Sequence, residues 1–195
     1  MANLGSNTSG HFFDTSFTTN GMLYSAANGV ITSSTATIDS SNIITNSSQP
    51  FVFARLNTNL TNVTGDSTVV SPIKYDTIVT QQGSGYSTST GIFTAPVAGV
   101  YICTASISWF TLTIAHTVAD IEITSSTGFN VRVEANPGAC QSANNVYTQE
   151  SSLICFLNAS DTLTVAGFVA GSTKTVGILG ENFGQFSNIF IAKLF

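Results

Sequence analysis

Residues 75–101 read YDTIVTQQGSGYSTSTGIFTAPVAGVY, and the spacing within this stretch decides the fold. Tyr75 is followed after five residues by Gln81, then after four by Tyr86, after six by Phe93, after five by Gly99 and after one by Tyr101. Tyr86 and Phe93 bracket a loop of Ser, Thr and Gly that cannot form a core itself, so the two rings must anchor its ends. Thr94-Ala95-Pro96-Val97-Ala98-Gly99 then turns the chain into its longest apolar run. From Gly99 to Leu112, Tyr101, Cys103, Ala105, Ile107 and Trp109 fall on one face, and Thr104, Ser106 and Ser108 on the other. That is the period of a strand with one side on a core.

Outward from this strand the pattern repeats. Thr117, Ala119, Ile121 and Ile123 are expected to face inward, and His116, Asp120 and Glu122 outward. Phe51 to Asn57 reads as a strand covered on both faces, Asn57 to Asp66 as a polar loop, and Thr77 to Thr80 as a short strand. Residues 129–134, 151–157, 162–169 and 187–195 supply further strands between Gly-, Asn- and Ser-rich turns, and no stretch keeps helical periodicity. Many short strands without helices mean a sandwich or barrel.

The spacing of Tyr75, Tyr86, Phe93, Gly99 and Tyr101 resembles the signature of the complement C1q globular-head family, which belongs with the tumour-necrosis-factor-like jelly rolls. Tyr75 stands where the family usually has Phe, Gln81 where it favours Asn or Asp, and Cys103 and Ala105 where it has aromatic residues. Ala159 to Val165 resembles the family's Gly-Asp strand opening without its Gly, and Phe186 to Ile191 its closing strand. The resemblance covers roughly residues 50–195. It implies an all-β jelly-roll sandwich, structural roles for the five motif residues, and packing of three jelly rolls about an axis. The 14 Phe are then divided between monomer core and subunit interface, with Phe190 and Phe195 suited to either.

Composition bounds the function. Charged residues make up 8% of the 195, against about 25% in an ordinary soluble protein, so solubility rests on Ser, Thr, Asn and Gln, as on many extracellular and virion proteins. The net charge is -5, and the five basic residues Arg55, Lys74, Arg132, Lys174 and Lys193 are scattered, which excludes an electrostatic footprint for nucleic acid. No segment approaches the roughly 18 apolar residues of a membrane span, and residues 1–10 carry neither the basic start nor the apolar run of a secretory signal. Three cysteines cannot all pair within one chain. Cys103 and Cys155 lie in alternating apolar runs as small core residues, a disulfide between them being the alternative.

Residues 1–49 differ from the rest, being Ser, Thr, Asn, Gly and Ala with isolated apolar positions. Two Asn-Gly pairs, Asn20-Gly21 and Asn28-Gly29, mark tight turns. Too few apolar residues are present for a core, so the segment either winds with copies of itself or stays an extended linker. It resembles the shaft segments of phage and viral fibres, which implies a stalk over 1–49 ahead of a head over 50–195.

Catalytic constellations are missing. His11 and His116 lie far apart with no Cys or His at metal-ligand spacing, and His116 is expected at the surface. Asp120 and Glu122 share a strand face at a separation compatible with glycoside hydrolysis, but any polar strand face offers as much. Asp66, Asp76 and Asp161 form no calcium loop. The expectation is a non-enzymatic virion structural protein without cofactor or metal. It would be a homotrimeric fibre or spike head that adheres to a host-surface glycan or protein, meets other virion proteins through its N-terminal segment, and enters no membrane. Loops 82–90 and 138–145 are its candidate contacts. A capsid-decorating protein and a secreted lectin-type C1q-like module are the alternatives.

Overall fold

The alternation that starts at Gly99 is one twelve-residue strand, Gly99–Phe110, in the computed structural model, and two antiparallel sheets are built around it. The structure describes residues 49–180 and 186–194, with the backbone of five strands nearer the N-terminus. The chain divides into two units, Met1–Ser48 and Gln49–Phe195. In the first, β1 (Leu4–Ser6) pairs with β2 (Phe12–Asp14), while β3 (Gly21–Ser25), β4 (Ile31–Ile38) and β5 (Ile44–Asn46) form a three-stranded antiparallel sheet. Of the tight turns expected at Asn20-Gly21 and Asn28-Gly29, Asn20, Asn28 and Gly29 lie outside the described residues. Winding of this segment with copies of itself, the place of His11 and that of Phe195 lie outside the described residues.

The second unit runs β6 (Phe51–Arg55), β7 (Leu60–Thr64), β8 (Thr77–Gln82), β9 (Tyr86–Ser87), β10 (Ile92–Thr94), β11 (Gly99–Phe110), β12 (Val118–Ser125) and β13 (Asn130–Ala135). A one-turn helix, α1 (Pro137–Cys140), precedes β14 (Tyr147–Leu157), β15 (Thr162–Ala170), β16 (Val176–Ile178) and β17 (Asn188–Lys193). The first sheet has the order β8-β6-β17-β11-β14, with β16 and β7 continuing from the far end of β11. The second is β9-β10-β15-β12-β13. The chain crosses between sheets at β8–β9, β10–β11, β11–β12, β13–β14, β14–β15 and β15–β16, which is the jelly roll that the 75–101 stretch implied.

Register sets the two ends of the sandwich. Gly99 pairs with Leu157 and Trp109 with Tyr147, while Tyr101 lies opposite Lys193 and Ala192 opposite Phe51. Phe51 and Lys193 therefore lie at one end, the base. Loops 111–117, 136–146 and 171–175 gather at the other, the apex, since Val118 pairs with Ala170 and Ala119 with Ala135.

Between the sheets, Tyr101, Cys103, Ala105, Ile107 and Trp109 are buried against Ala119, Ile121, Ile123, Leu163, Val165 and Val169. One polar tie crosses this core: Trp109 Nε1 donates to Gln149 Oε1 at 2.9 Å, and Gln149 Nε2 donates to Ala119 O at 3.1 Å. It joins β11 and β14 to β12, leaving no polar group of the indole unpaired.

The structure corrects several expectations. His116 is fully buried, because Thr113 N–H donates to its Nδ1 at 2.9 Å and its own N–H returns to Thr113 O, folding the loop over the ring. Thr117 is exposed, since β12 begins only at Val118. Ser106 and Ser108, read as outward, are buried under Phe186, whose carbonyl accepts from both hydroxyls. The polar loop expected over Asn57 to Asp66 contains β7, whose alternation is masked by Asn and Thr.

Candidate functional site

Tyr75, Tyr86, Phe93 and Tyr101 meet in one buried cluster. Tyr75 N–H donates to Tyr86 Oη at 3.0 Å, and Tyr75 Oη donates to Ser106 O at 3.3 Å. Phe93 and Tyr101 stack edge to face with centroids 5.6 Å apart, a favoured aromatic geometry. Tyr101 Oη closes the turn by donating to Val97 O at 2.8 Å. Burial pushes the Tyr86 phenol up to about 12. Gly99, also buried, opens β11 opposite Leu157. The five residues tie β9, β10 and β11 together, and the rings are spent on the core.

The outward face of the first sheet is where apolar surface remains. One row across it is Ile154, Ile102, Ala192 and Phe51; the next includes Phe190 and Phe53; Val100 and Phe156 pair below them. Ile154 is 60% exposed, Phe156 51% and Phe190 37%. Toward the apex the face turns polar, with Glu150, Ser106, Asn188 and Arg55 aligned in one row. The two candidate loops do not share an end of the sandwich. Residues 138–145 lie at the apex with loop 111–117, whose Ile114 is 84% exposed. Residues 82–90 begin at the base, where Gln82 pairs with Phe51.

The C1q domain family matches residues 52–168. The chain belongs to the C1q family. Among solved structures, the C1q domain is similar to murine APRIL, with 13% identity and a TM-score of 0.51 over 75% of this chain and 99% of that one. It is also similar to the globular domain of zebrafish complement 1qA, at 14% identity and 0.49 over 75% and 95%. A third is the Eiger TNF of S. frugiperda, at 15% and 0.47 over 75% and 94%. No curated protein matches the sequence. At 13% identity the APRIL likeness is one of fold alone.

The acidic side chains singled out in the sequence are engaged structurally. Asp120 is buried and ion-paired with Arg132, which also reaches Glu134 at 3.2 Å and lies over the Phe168 ring. Burial raises the Asp120 carboxyl above its ordinary value, with the Arg132 partner opposing. Glu122 accepts from Asn130 Nδ2 at 3.1 Å. Asp76 accepts from the N–H groups of Asn57 and Thr58 at 2.7 and 3.1 Å, Asp66 from Thr68 N–H at 3.0 Å, and Asp161 from Asn158 N–H at 2.7 Å. Asp66 and Asp161 therefore close their own turns, while Asp76 ties the segment after β6 to the start of β8. Among the described residues no three His, Cys, Asp or Glu side chains converge as a metal site, and no helix is long and apolar enough to cross a membrane. Cys103 and Cys155 are free thiols, and burial pushes both up, which suppresses the reactive thiolate.

Proposed function

We propose that this chain is a non-enzymatic virion protein, the homotrimeric head of a fibre or spike that adheres to a host surface. C1q- and tumour-necrosis-factor-like domains typically form homotrimers. The observation that carries the reading is the apolar face of β14, β11, β17 and β6, where Ile154, Phe156, Phe190 and Phe53 lie in adjacent rows outside a core that is already filled. An exposed contiguous apolar patch of this kind marks an association site. The Ser-, Thr- and Asn-rich residues 1–48 support a stalk placing the head at a particle's surface, and the loops at the apex, away from the base where the C1q domain starts, support contact there. Three copies turn weak contacts into avidity.

Light scattering after size exclusion tests the assembly. A mass of about 61 kDa, three times the 20.4 kDa protomer, is expected for the full chain, and a stable protomer-sized species would sink the fibre head. Labelled protein applied to intact host cells tests adhesion: saturable binding that unlabelled protein displaces is expected.

A further inference from the structure

Charge on the outward face of the first sheet is confined to one row. Strands β8, β6, β17, β11 and β14 carry three charged residues, Arg55, Glu150 and Lys193. Lys193 stands in the inward register, opposite the buried Tyr101, which leaves Arg55 and Glu150 as the charged side chains of the outward face among the described residues. Both belong to the row Glu150-Ser106-Asn188-Arg55, one at each end. The middle of the row is closed by the chain itself, since Asn188 Nδ2 donates to Ser106 Oγ at 3.4 Å.

The two charges do not meet within one protomer. Glu150 and Arg55 stand three strand spacings apart, about 14 Å, and Glu150 enters no ion pair among the described residues. Glu150 is exposed on the edge strand β14. Arg55 is half-buried and has interactions within its own chain. Its guanidinium carries five donors in a fork suited to a carboxylate, so it can keep those interactions and still receive one more partner.

We infer that Glu150 of one protomer pairs with Arg55 of the next, closing a ring of three head-to-tail contacts. This rests on the homotrimer reading and names the contact that sets its register. The rows holding Phe53 with Phe190 and Phe51 with Ile154 lie directly toward the base from the charged row. Copies that bury those apolar rows side by side therefore bring their charged rows to one height. There a second copy offers the complementary charge at each end, a base for the acid of β14 and an acid for the base of β6. Apolar rows alone tolerate sliding along the strands. A slip of two residues would set Glu150 against Phe53 and leave both charges desolvated without a partner. The pair thus supplies register and orientation more than affinity, and contacts between unlike patches of successive copies are the kind that close into a ring.

Light scattering of the full chain over a dilution series tests this by charge exchange. Glu150→Arg sets two guanidinium groups together and should move dissociation to an about tenfold higher concentration, and Arg55→Glu should do the same. The double variant, Glu150→Arg with Arg55→Glu, restores the attraction and should recover the parent midpoint. Mixing the two single variants should not, because a ring of three cannot alternate two kinds of chain without one like-charged contact. Should circular dichroism show Arg55→Glu unfolded, Arg55→Gln replaces it, and in the Glu150→Arg chain it should recover most of the loss. An unchanged midpoint in Glu150→Arg, or no recovery in the double variant, overturns the pairing and leaves the trimeric head standing. A stable heterodimer in the mixture overturns the ring, since only a twofold contact satisfies both variants at once. A parent that is protomer-sized at every concentration removes the trimeric head and the pairing with it.

Discussion

Gly167 shows how closely the core is fitted at a single residue. It lies on the inward face of β15, and a Cβ there would stand 2.5 Å from Asp120 O and 3.0 Å from Trp109 Cζ2. The backbone of β12 cannot yield without breaking its ladder, so Gly167→Ala should lower stability by about 1–3 kcal/mol, read as a shift in the urea midpoint at unchanged slope. Asp120 gives a second residue-scale prediction. Its folded carboxyl titrates above 3.8 because burial disfavours the charge. The folded state then holds a proton that the unfolded state has lost, so this group's contribution to stability falls as pH rises from 3.8 through the folded value. Asp120→Asn should remove that fall, seen as a smaller loss of Tm from pH 4 to 6 than in the parent. Neither residue announced its role. Gly167 reads as one more small residue in an apolar run, and Asp120 reads as a surface acid until β13 brings Arg132 beside it.

At the scale of elements, β17 is the last strand of the chain and an interior one, hydrogen-bonded to β11 on one side and β6 on the other. Ser106, Ser108 and the segment 186–188 lock it further, with Ser187 Oγ accepting from Ser108 N–H at 3.0 Å. Truncation after Gln185 should therefore abolish the cooperative unfolding of the C1q domain, and amide exchange of β17 in the intact chain should be as slow as that of β11. The strands legible in the sequence were β6, β8, β11, β12, β13, β14, β15 and β17, of which β11, β12, β14, β15 and β17 alternate most regularly against a single core. β7 and β16 were not. Each is short, and β16 is buried on both faces around Gly177, whose Cβ would meet Leu60 O at 2.3 Å, so neither leaves a period to read. Loop 111–117 was misread for a related reason: the burial of His116 depends on a turn closed by its own ring nitrogen and by Gly138 N–H donating to His116 O. No periodicity encodes that.

The whole molecule raises the question of association, and here the sequence carried less. The motif stretch specified the jelly roll, but the proposed association face is assembled from β6, β11, β14 and β17, four segments spread over residues 51–193. Only pairing across the sheet puts Phe53, Phe190, Ile154 and Phe156 together. If the apolar rows hold the trimer, a charge placed in them must be desolvated in every copy, at a cost well above the roughly 1.5–3 kcal/mol that burial of each apolar side chain contributes. Ile154→Asp and Phe190→Asp, both at outward positions that leave the core untouched, should each reduce the mass to that of the 20.4 kDa protomer while retaining strand circular dichroism. Adhesion to host cells should then fall by about 10²–10⁴-fold through lost avidity. A variant that keeps its trimeric mass would place the subunit contact on another face of the sandwich, and one that turns monomeric yet adheres as before would show that single heads suffice.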